Sequence, residues 1–589
     1  MASSILAAAI DFGTTYSGWA YSFEHQYKQD PTKVFAKLWS GGMLMSDKAP
    51  TAVLIAPDGK TFKAFGNEAE DKYAELADKK EHKKWFYFRR FKMLLMDKIG
   101  LERGFQMEDE TGKKLLAKTV FSMAIKYLTD NLLEECKTRI AGMILPDDIM
   151  WVLTVPAIWN DSAKQFMREA AVEAGINTDK LKLALEPEAA SLFCRLLPID
   201  RITGDTDISK IKAGSKYMIL DAGGGTVDIT VHQVLQEGRL KEIHEASGGA
   251  WGGTKVDEAF RQFLISIVGN PVFQTFRDEY MDDYLDMTRD FEIKKRKVEP
   301  EPDSNEKKNE NEKKYDVVIR FPLALKELFE KETGEYLQAA IEQTRHAGQV
   351  ELDRDKLKVD ARIMRSFFEE PVRRIVDHVK MLFTKPDVMD VPKILMVGGF
   401  SDSKILQYAI KKEFGRKNVT VTVPHEPGLL VLKGAVVFGH DTGAISARIA
   451  KYTYGVAKRM NFIEGKHDER HKIVDDDGII RCKNLFGTFV EIGQSLKCKE
   501  SFQYEYKSPD SKATSFEVQL FASINKHPTY VTDVGCYKVG KMNVYVDTSV
   551  AYNDRRFEIS LSFGDTEIHV KALEKSTGKG THCSFNCMD

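Results

Sequence analysis

Three short apolar runs stop at glycine-containing turns, and they set the pattern of the first 450 residues. Ile5–Ile10 runs into Asp11-Phe12-Gly13-Thr14-Thr15, Tyr217–Leu220 into Asp221-Ala222-Gly223-Gly224-Gly225-Thr226, and Ile394–Val397 into Gly398-Gly399-Phe400-Ser401. Runs of this length with no polar interruption predict strands buried on both faces. A different period governs Ser162 to Gly175. There Ala163, Phe166, Met167, Ala170, Ala171 and Ala174 fall on one face, which predicts a helix with Asn160 or Asp161 at its start and Gly175 at its end. Beyond Lys451 the period becomes two. Met542, Val544 and Val546 alternate with polar residues, as do Phe557, Ile559, Leu561 and Phe563, then Ile568, Val570 and Ala572. That alternation predicts half-buried strands in a separate β-rich domain over 451–589, with a turn at Gly564-Asp565. One stretch has no apolar residue: 299–314 reads EPEPDSNEKKNENEKK. It cannot bury surface, and a disordered, solvated insertion is expected there.

Composition narrows the function classes. The chain has 589 residues, too many for one core, so about three to four domains or lobes are expected. A net charge of −2 leaves no footprint for a nucleic acid. No apolar stretch is long enough to span a membrane. The seven cysteines are odd in number, widely spaced and without a CxxC pair, which points to buried thiols in a reducing compartment. The cytoplasm is the expected location. The N-terminal apolar run is too short for a secretion signal and has no Lys or Arg before Lys28, so it is expected to be a strand.

The glycine turns carry the candidate chemistry. A polyphosphate needs backbone N–H groups at close range, which glycine permits, and successive turn amides form an anion nest. Two turns of the same plan, strand–Asp–x–Gly followed by a Thr-rich turn, could grip one polyphosphate from both sides. The two aspartates at the strand ends suit Mg²⁺, held through its waters. No GxxxxGK[ST] sequence occurs, which excludes a P-loop.

DFGTTYS at Asp11–Ser17, TVPAIWND at Thr154–Asp161, LEPEAAS at Leu185–Ser191, DAGGGTVDIT at Asp221–Thr230 and VGGFS at Val397–Ser401 resemble the ATPase domain of the seventy-kilodalton heat-shock chaperones. That domain belongs to the wider group of actin and the sugar kinases. Phe91–Met93, Asp290–Lys297 and Phe563–Ile568 further resemble the divergent branch called heat shock 70 kDa protein 12. The resemblance implies an α/β, two-lobed actin-like ATPase fold with duplicated ribonuclease-H-like lobes, followed by a small β-rich domain. Lobe I would take 1–205 and 422–445, and lobe II 206–421. It implies ATP or ADP with Mg²⁺ as ligands. Gly13, Thr14, Thr15 and Tyr16 would bind phosphates from lobe I, and Gly223, Gly224, Gly225 and Thr226 from lobe II. Asp11 and Asp221 would hold the hydrated metal. Lys92, Glu186 and Asp228 would be catalytic, Lys92 for γ-phosphate charge and the two acids for orienting the attacking water. Glu292, Lys295, Arg296, Gly399, Phe400 and Ser401 would hold adenosine.

The chain also departs from the mainstream chaperones. Gly428, in PHEPGLLVLKG, stands near the place of an Asp in the last adenosine motif. The inter-domain segment Ile445–Thr453 reads ISARIAKYT instead of a Leu-rich acidic linker. Residues 451–589 leave little for a helical lid. Three functions follow as expectations: an ATP-hydrolysing chaperone-like protein acting on unfolded or specific protein clients; a nucleotide-gated adaptor with little hydrolysis; and, least favoured, a small-molecule kinase.

Overall fold

The structure, a computed structural model, describes residues 4–41, 44–96, 98, 101–139, 144–197, 202–203, 211–301, 317–415, 419–474, 478–498, 500–508, 513–563, 566–578, 580–584 and 587–588. Most of the charged stretch 299–314 and the expected turn at Gly564-Asp565 lie outside these residues.

Two sheets of like plan organise the first 450 residues. The first contains β1 (Leu6–Phe12), β2 (Tyr16–Phe23), β3 (Phe35–Ala36), β4 (Ile149–Val155) and β5 (Leu181–Leu185), in the order β5-β4-β1-β2-β3. The second contains β6 (Lys216–Ala222), β7 (Val227–Val234), β8 (Leu240–Gly249), β9 (Lys393–Val397) and β10 (Thr420–Pro424), in the order β10-β9-β6-β7-β8. In each sheet the opening strand pairs antiparallel with the next strand in sequence and parallel with the strand on its other side. The repeated Asp-x-Gly turn is thus one part of a repeated five-strand unit. The second sheet extends past β8 through β11 (Ile445–Ile449) to the strand Ser495–Lys497.

The low bulk of β1 has a reason. Its side chains alternate between two cores. Leu6, Ala8, Ile10 and Phe12 enter the core containing Ala163, Phe166 and Met167 of the helix α1 (Asp161–Glu173). Ala7 and Ala9 face a second core shared with Ile219, Leu395 and Val397 of the second sheet. Helices α2 (Glu186–Cys194) and α3 (Leu430–His440) fill the layer between the sheets. Small residues let these backbones approach: a Cβ on Gly434 would lie 1.7 Å from the Ala189 carbonyl oxygen, and one on Gly439 would lie 2.9 Å from Ala7 Cβ. Helix α1 starts as its sequence predicts, with the Asn160 side chain accepting from the Ala163 N–H.

Two expected boundaries shift. β10 spans the expected division between 421 and 422, because its backbone pairs in register with β9 through Leu395↔Thr422. β11, which starts at the expected end of lobe I and takes up the first half of the expected inter-domain segment, lies parallel to β8 in the second sheet. Of the expected 422–445 return, it is helix α3 that packs on β1 and β4 of the first sheet.

After His440 the described elements are strands and short 3₁₀ turns, with no α-helix among the described residues. A five-stranded antiparallel sheet includes Thr453–Asn461, Ile480–Val490, Ser515–Ser523 and Cys536–Tyr545. A four-stranded one contains Glu500–Lys507, Arg556–Phe563, Ile568–Glu574 and Gly580–Ser584. Their apolar faces meet in one core, where Val518, Leu520 and Met542 share a cluster with Ile559, Leu561 and Val570. The alternating positions read from the sequence are the ones that point inward.

Candidate functional site

The turns after β1 and β6 meet across a cavity of about 460 Å³, inside the roughly 300–1,000 Å³ range of small-ligand sites. They touch closely. A Cβ on Gly224 would lie 2.2 Å from Thr15 Oγ1, and one on Gly225 would lie 2.5 Å from Thr14 Oγ1. Glycine is therefore required twice over, for backbone access to the cavity and for contact between the turns. The Gly223 N–H closes its own turn on the Thr226 carbonyl at 2.9 Å.

Seventeen residues of the site expected from sequence line this cavity: Asp11, Gly13, Thr14, Thr15, Tyr16, Lys92, Glu186, Asp221, Gly223, Gly224, Gly225, Thr226, Glu292, Lys295, Arg296, Gly399 and Phe400. Two do not. Ser401 is buried, and its hydroxyl donates to the Val397 carbonyl at 2.6 Å, closing the turn after β9. Asp228 is buried behind the wall, where its Oδ1 accepts the Ile158 N–H at 2.9 Å. A β-strand sends successive side chains to opposite faces, and neighbouring Val227 and Ile229 enter the core of the second sheet.

Lys92 sits on the 3₁₀ turn Phe91–Leu95, entered through Arg90 at φ +54°. Its side chain is 2% exposed. The ammonium donates to Glu186 Oε1 at 2.5 Å and lies 5.2 Å from the centre of the Trp159 ring. Burial pushes the Glu186 carboxyl up, and the charges of Asp11 and Asp228 add to this against the pull of Lys92; its pKa reaches about 7.

The two strand-end aspartates differ. Asp11 accepts from Thr154 Oγ1 at 2.7 Å on one oxygen and from Lys48 Nζ at 2.5 Å on the other. Burial works to raise its pKa, but the Lys48 charge and hydrogen bond, helped by Lys92 and Thr154, outweigh it and hold the carboxyl below its ordinary value. Asp221 has no ion pair with any described residue. Burial, then the charges of Glu186, Asp228 and Asp11, push its carboxyl far up. The expected matched pair of metal-facing carboxylates is therefore unequal: Asp221 fits a hydrated cation, and Asp11 already has an ammonium. Nothing in the sequence around Lys48 marked it. It reaches the site through a loop next to the two-residue strand Ala49–Pro50.

At the other end of the cavity, the helix Met281–Lys295 brings Glu292, Lys295 and Arg296. Lys295 pairs with Asp257 at 2.6 Å and with Glu292 at 2.5 Å. Arg296 pairs with Glu292 at 2.9 Å, and its guanidinium lies 5.5 Å from the centre of the Tyr16 ring. Phe400 and the open backbone of Gly399 form the opposite wall; a Cβ on Gly399 would meet nothing within 4 Å.

A second network joins the site to the C-terminal strands. Ile158, whose N–H binds Asp228, accepts Lys451 Nζ on its carbonyl at 2.5 Å. Arg448 on β11 binds both oxygens of the buried Glu188 at 2.7 Å. Tyr454 donates to Asp161 at 3.1 Å, Arg168 pairs with Glu567 at 2.5 Å, and the Cys587 N–H donates to Gln165 at 2.6 Å. Met588 is buried in the same core as α1. These contacts use Arg448, Lys451 and Tyr454 of the segment that departs from the mainstream linker or lies just beyond it.

The Hsp70 protein family model matches residues 98–281. The human protein heat shock 70 kDa protein 12B is 32% identical, over 99% of this chain and 91% of its own length. Human heat shock 70 kDa protein 12A is 31% identical, over 100% of this chain and 92% of its own. The chain belongs to the Hsp70 family, in the heat shock 70 kDa protein 12 group. Mainstream similarity is weaker: the Picrophilus torridus chaperone protein DnaK is 26% identical over 52% of this chain and 42% of its own. This Hsp70-family chain thus has its family's nucleotide-binding type of fold, and the cavity lies where its glycine turns meet. Among the described residues no helix is long and apolar enough to cross a membrane.

Proposed function

We propose that this chain binds ATP between two actin-like lobes, hydrolyses it slowly, and transmits the nucleotide state to its C-terminal β-rich domain. Lobe I takes 1–205 and α3, lobe II takes 206–424 and β11, and the β-rich domain takes 451–589. The observation that carries the reading is the contact of two glycine turns, each ending a strand of the same five-strand plan, across one cavity floored by carboxylates.

In this reading the turn amides of Gly13–Tyr16 and Gly224–Thr226 receive the phosphate oxygens. Glu292, Arg296, Gly399 and Phe400 flank the adenosine, and Arg296 can lay its plane on the base. Asp221 suits a hydrated Mg²⁺, which would neutralise phosphate charge. Glu186, with its pKa near neutrality, accepts the proton of the attacking water. Lys92 balances the charge that develops on the transferring phosphoryl group. Asp228 acts one layer back by fixing Ile158, and through the Ile158 carbonyl the position of Lys451. This relay is the proposed route from nucleotide to β-domain.

Steady-state ATP hydrolysis by wild type, Glu186→Gln and Asp221→Ala tests the enzymatic part. Equal turnover in all three would remove it. One observation favours the adaptor reading: the Lys92 ammonium is spent on Glu186, which restrains the base. Suppression of aggregation of an unfolded protein in the presence of ATP separates the two, since an adaptor for one partner gives none.

A further inference from the structure

Lys48 reaches the site along a lane made for it. Gly18 on β2 is the antiparallel partner of Asp11 on β1. A Cβ at Gly18 would lie 3.1 Å from Lys48 Cγ. The missing side chain lets the aliphatic stem of Lys48 run over the strand pair and bring its ammonium down on Asp11. There Nζ donates to Asp11 Oδ2 at 2.5 Å and to the Gly428 carbonyl at 2.6 Å. The two partners lie far apart in sequence and on different walls of the cavity. Gly428 also stands near the place at which the resemblance leads one to expect an Asp. An ammonium has three N–H donors, and these contacts use two. The third is left on a side chain that is 17% exposed and lines the cavity beside the glycine turns. Its charge acts most strongly on Asp11, which it holds low, and weakly on Asp221.

We propose that Lys48 is a resident cation of the phosphate end of this cavity: its ammonium neutralises Asp11 and gives its remaining N–H to a phosphate oxygen, so that a nucleoside di- or triphosphate binds without a divalent ion. The proposal rests on the nucleotide reading above and adds the source of positive charge. A divalent ion approaching Asp11 must displace an ammonium that is hydrogen-bonded on two sides. Asp221 faces no such competition, so a metal engages from that side and adds to an affinity that already exists.

The test is calorimetric titration of the full chain with ADP, in excess Mg²⁺ and in EDTA, with adenosine as the phosphate-free control. Wild type should lose less than about fivefold in affinity on removal of Mg²⁺, and Lys48→Met should lose about thirtyfold in EDTA and recover most of it with Mg²⁺. Lys48→Arg should sit between the two. Adenosine binding should not change in any variant. Gly18→Ala, which crowds the stem and leaves every polar group of the cavity in place, should move part of the way toward Lys48→Met and covers the case in which that variant fails to fold. The proposal is overturned if wild type loses about a hundredfold or more in EDTA. It is equally overturned if Lys48→Met loses the same factor with and without Mg²⁺. Absence of ADP binding by wild type in Mg²⁺ would sink the nucleotide reading itself, and the proposal with it; the Mg²⁺ arm on wild type tells that failure from the others.

Discussion

Asp11 and Asp221 end equivalent strands of two sheets with the same order, each one residue ahead of a glycine turn, yet they live in opposite electrostatic conditions. Asp11 has a cation and a hydroxyl on its two oxygens. Asp221 faces three other acids and no paired cation. A shared strand plan fixes where a carboxylate stands. The loops that fold over the strand fix what it can do. Lys48 comes from a loop beside the first sheet, and no side chain of the described residues plays the same part at the second.

This comparison can be broken by mutation. Asp11→Ala leaves the half-buried Lys48 ammonium without its carboxylate, so it should cost the apo protein about 2 kcal/mol, read from the denaturant midpoint. Asp221→Asn should act in the opposite sense and stabilise the apo protein by about 1 kcal/mol above neutral pH, because it removes a buried unpaired charge. The sign follows from linkage. The folded-state pKa of Asp221 is raised, so wild type is penalised increasingly as pH rises above the unfolded value of about 4. The advantage of the Asn variant should therefore vanish in acid and grow with pH. Equal effects of the two substitutions would erase the difference between the two sites. A further pH effect should appear at Glu186. Turnover should rise with pH through about 7 as this carboxyl loses its proton, and Glu186→Gln should abolish the rise along with most of the activity. The same raised pKa means that Glu186 takes stability away between about pH 4.5 and 7. The smallest effect belongs to Lys451→Met. It should leave ATP affinity within about twofold, while nucleotide-dependent protection of the C-terminal strands in hydrogen exchange is lost.

Much of this architecture was legible in the sequence. Fully apolar runs gave β1, β6 and β9, because strands buried on both faces leave no polar alternation. Period two gave the C-terminal strands, and the glycine turns gave most of the cavity wall. What was not legible depends on contacts between segments distant in sequence. Lys48 has no local signal; it matters because Gly18 opens a lane to Asp11. Ser401 belongs to a recognisable motif, but the 3₁₀ turn aims its hydroxyl back at Val397. Asp228 alternates with core residues and so lies behind the wall. The boundaries near 422 and 445 were misplaced because β10 and β11 are short strands whose partners, β9 and β8, lie elsewhere in the chain. The linker was legible only as a departure. That Arg448 clamps Glu188 and Lys451 caps Ile158 follows from the tertiary arrangement.

The central claim is that one polyphosphate is held between the two glycine turns. It is tested most directly by titrating ATP into wild type and Gly224→Val with Mg²⁺ present. A Cβ at 224 would lie 2.2 Å from Thr15 Oγ1 of the facing turn, so a side chain there must push the two turns apart. The account predicts saturable one-to-one binding to wild type and a loss of about a hundredfold or more in the variant, with the thermal midpoint of the C-terminal strands unchanged. Equal ATP affinity in the two proteins would contradict it.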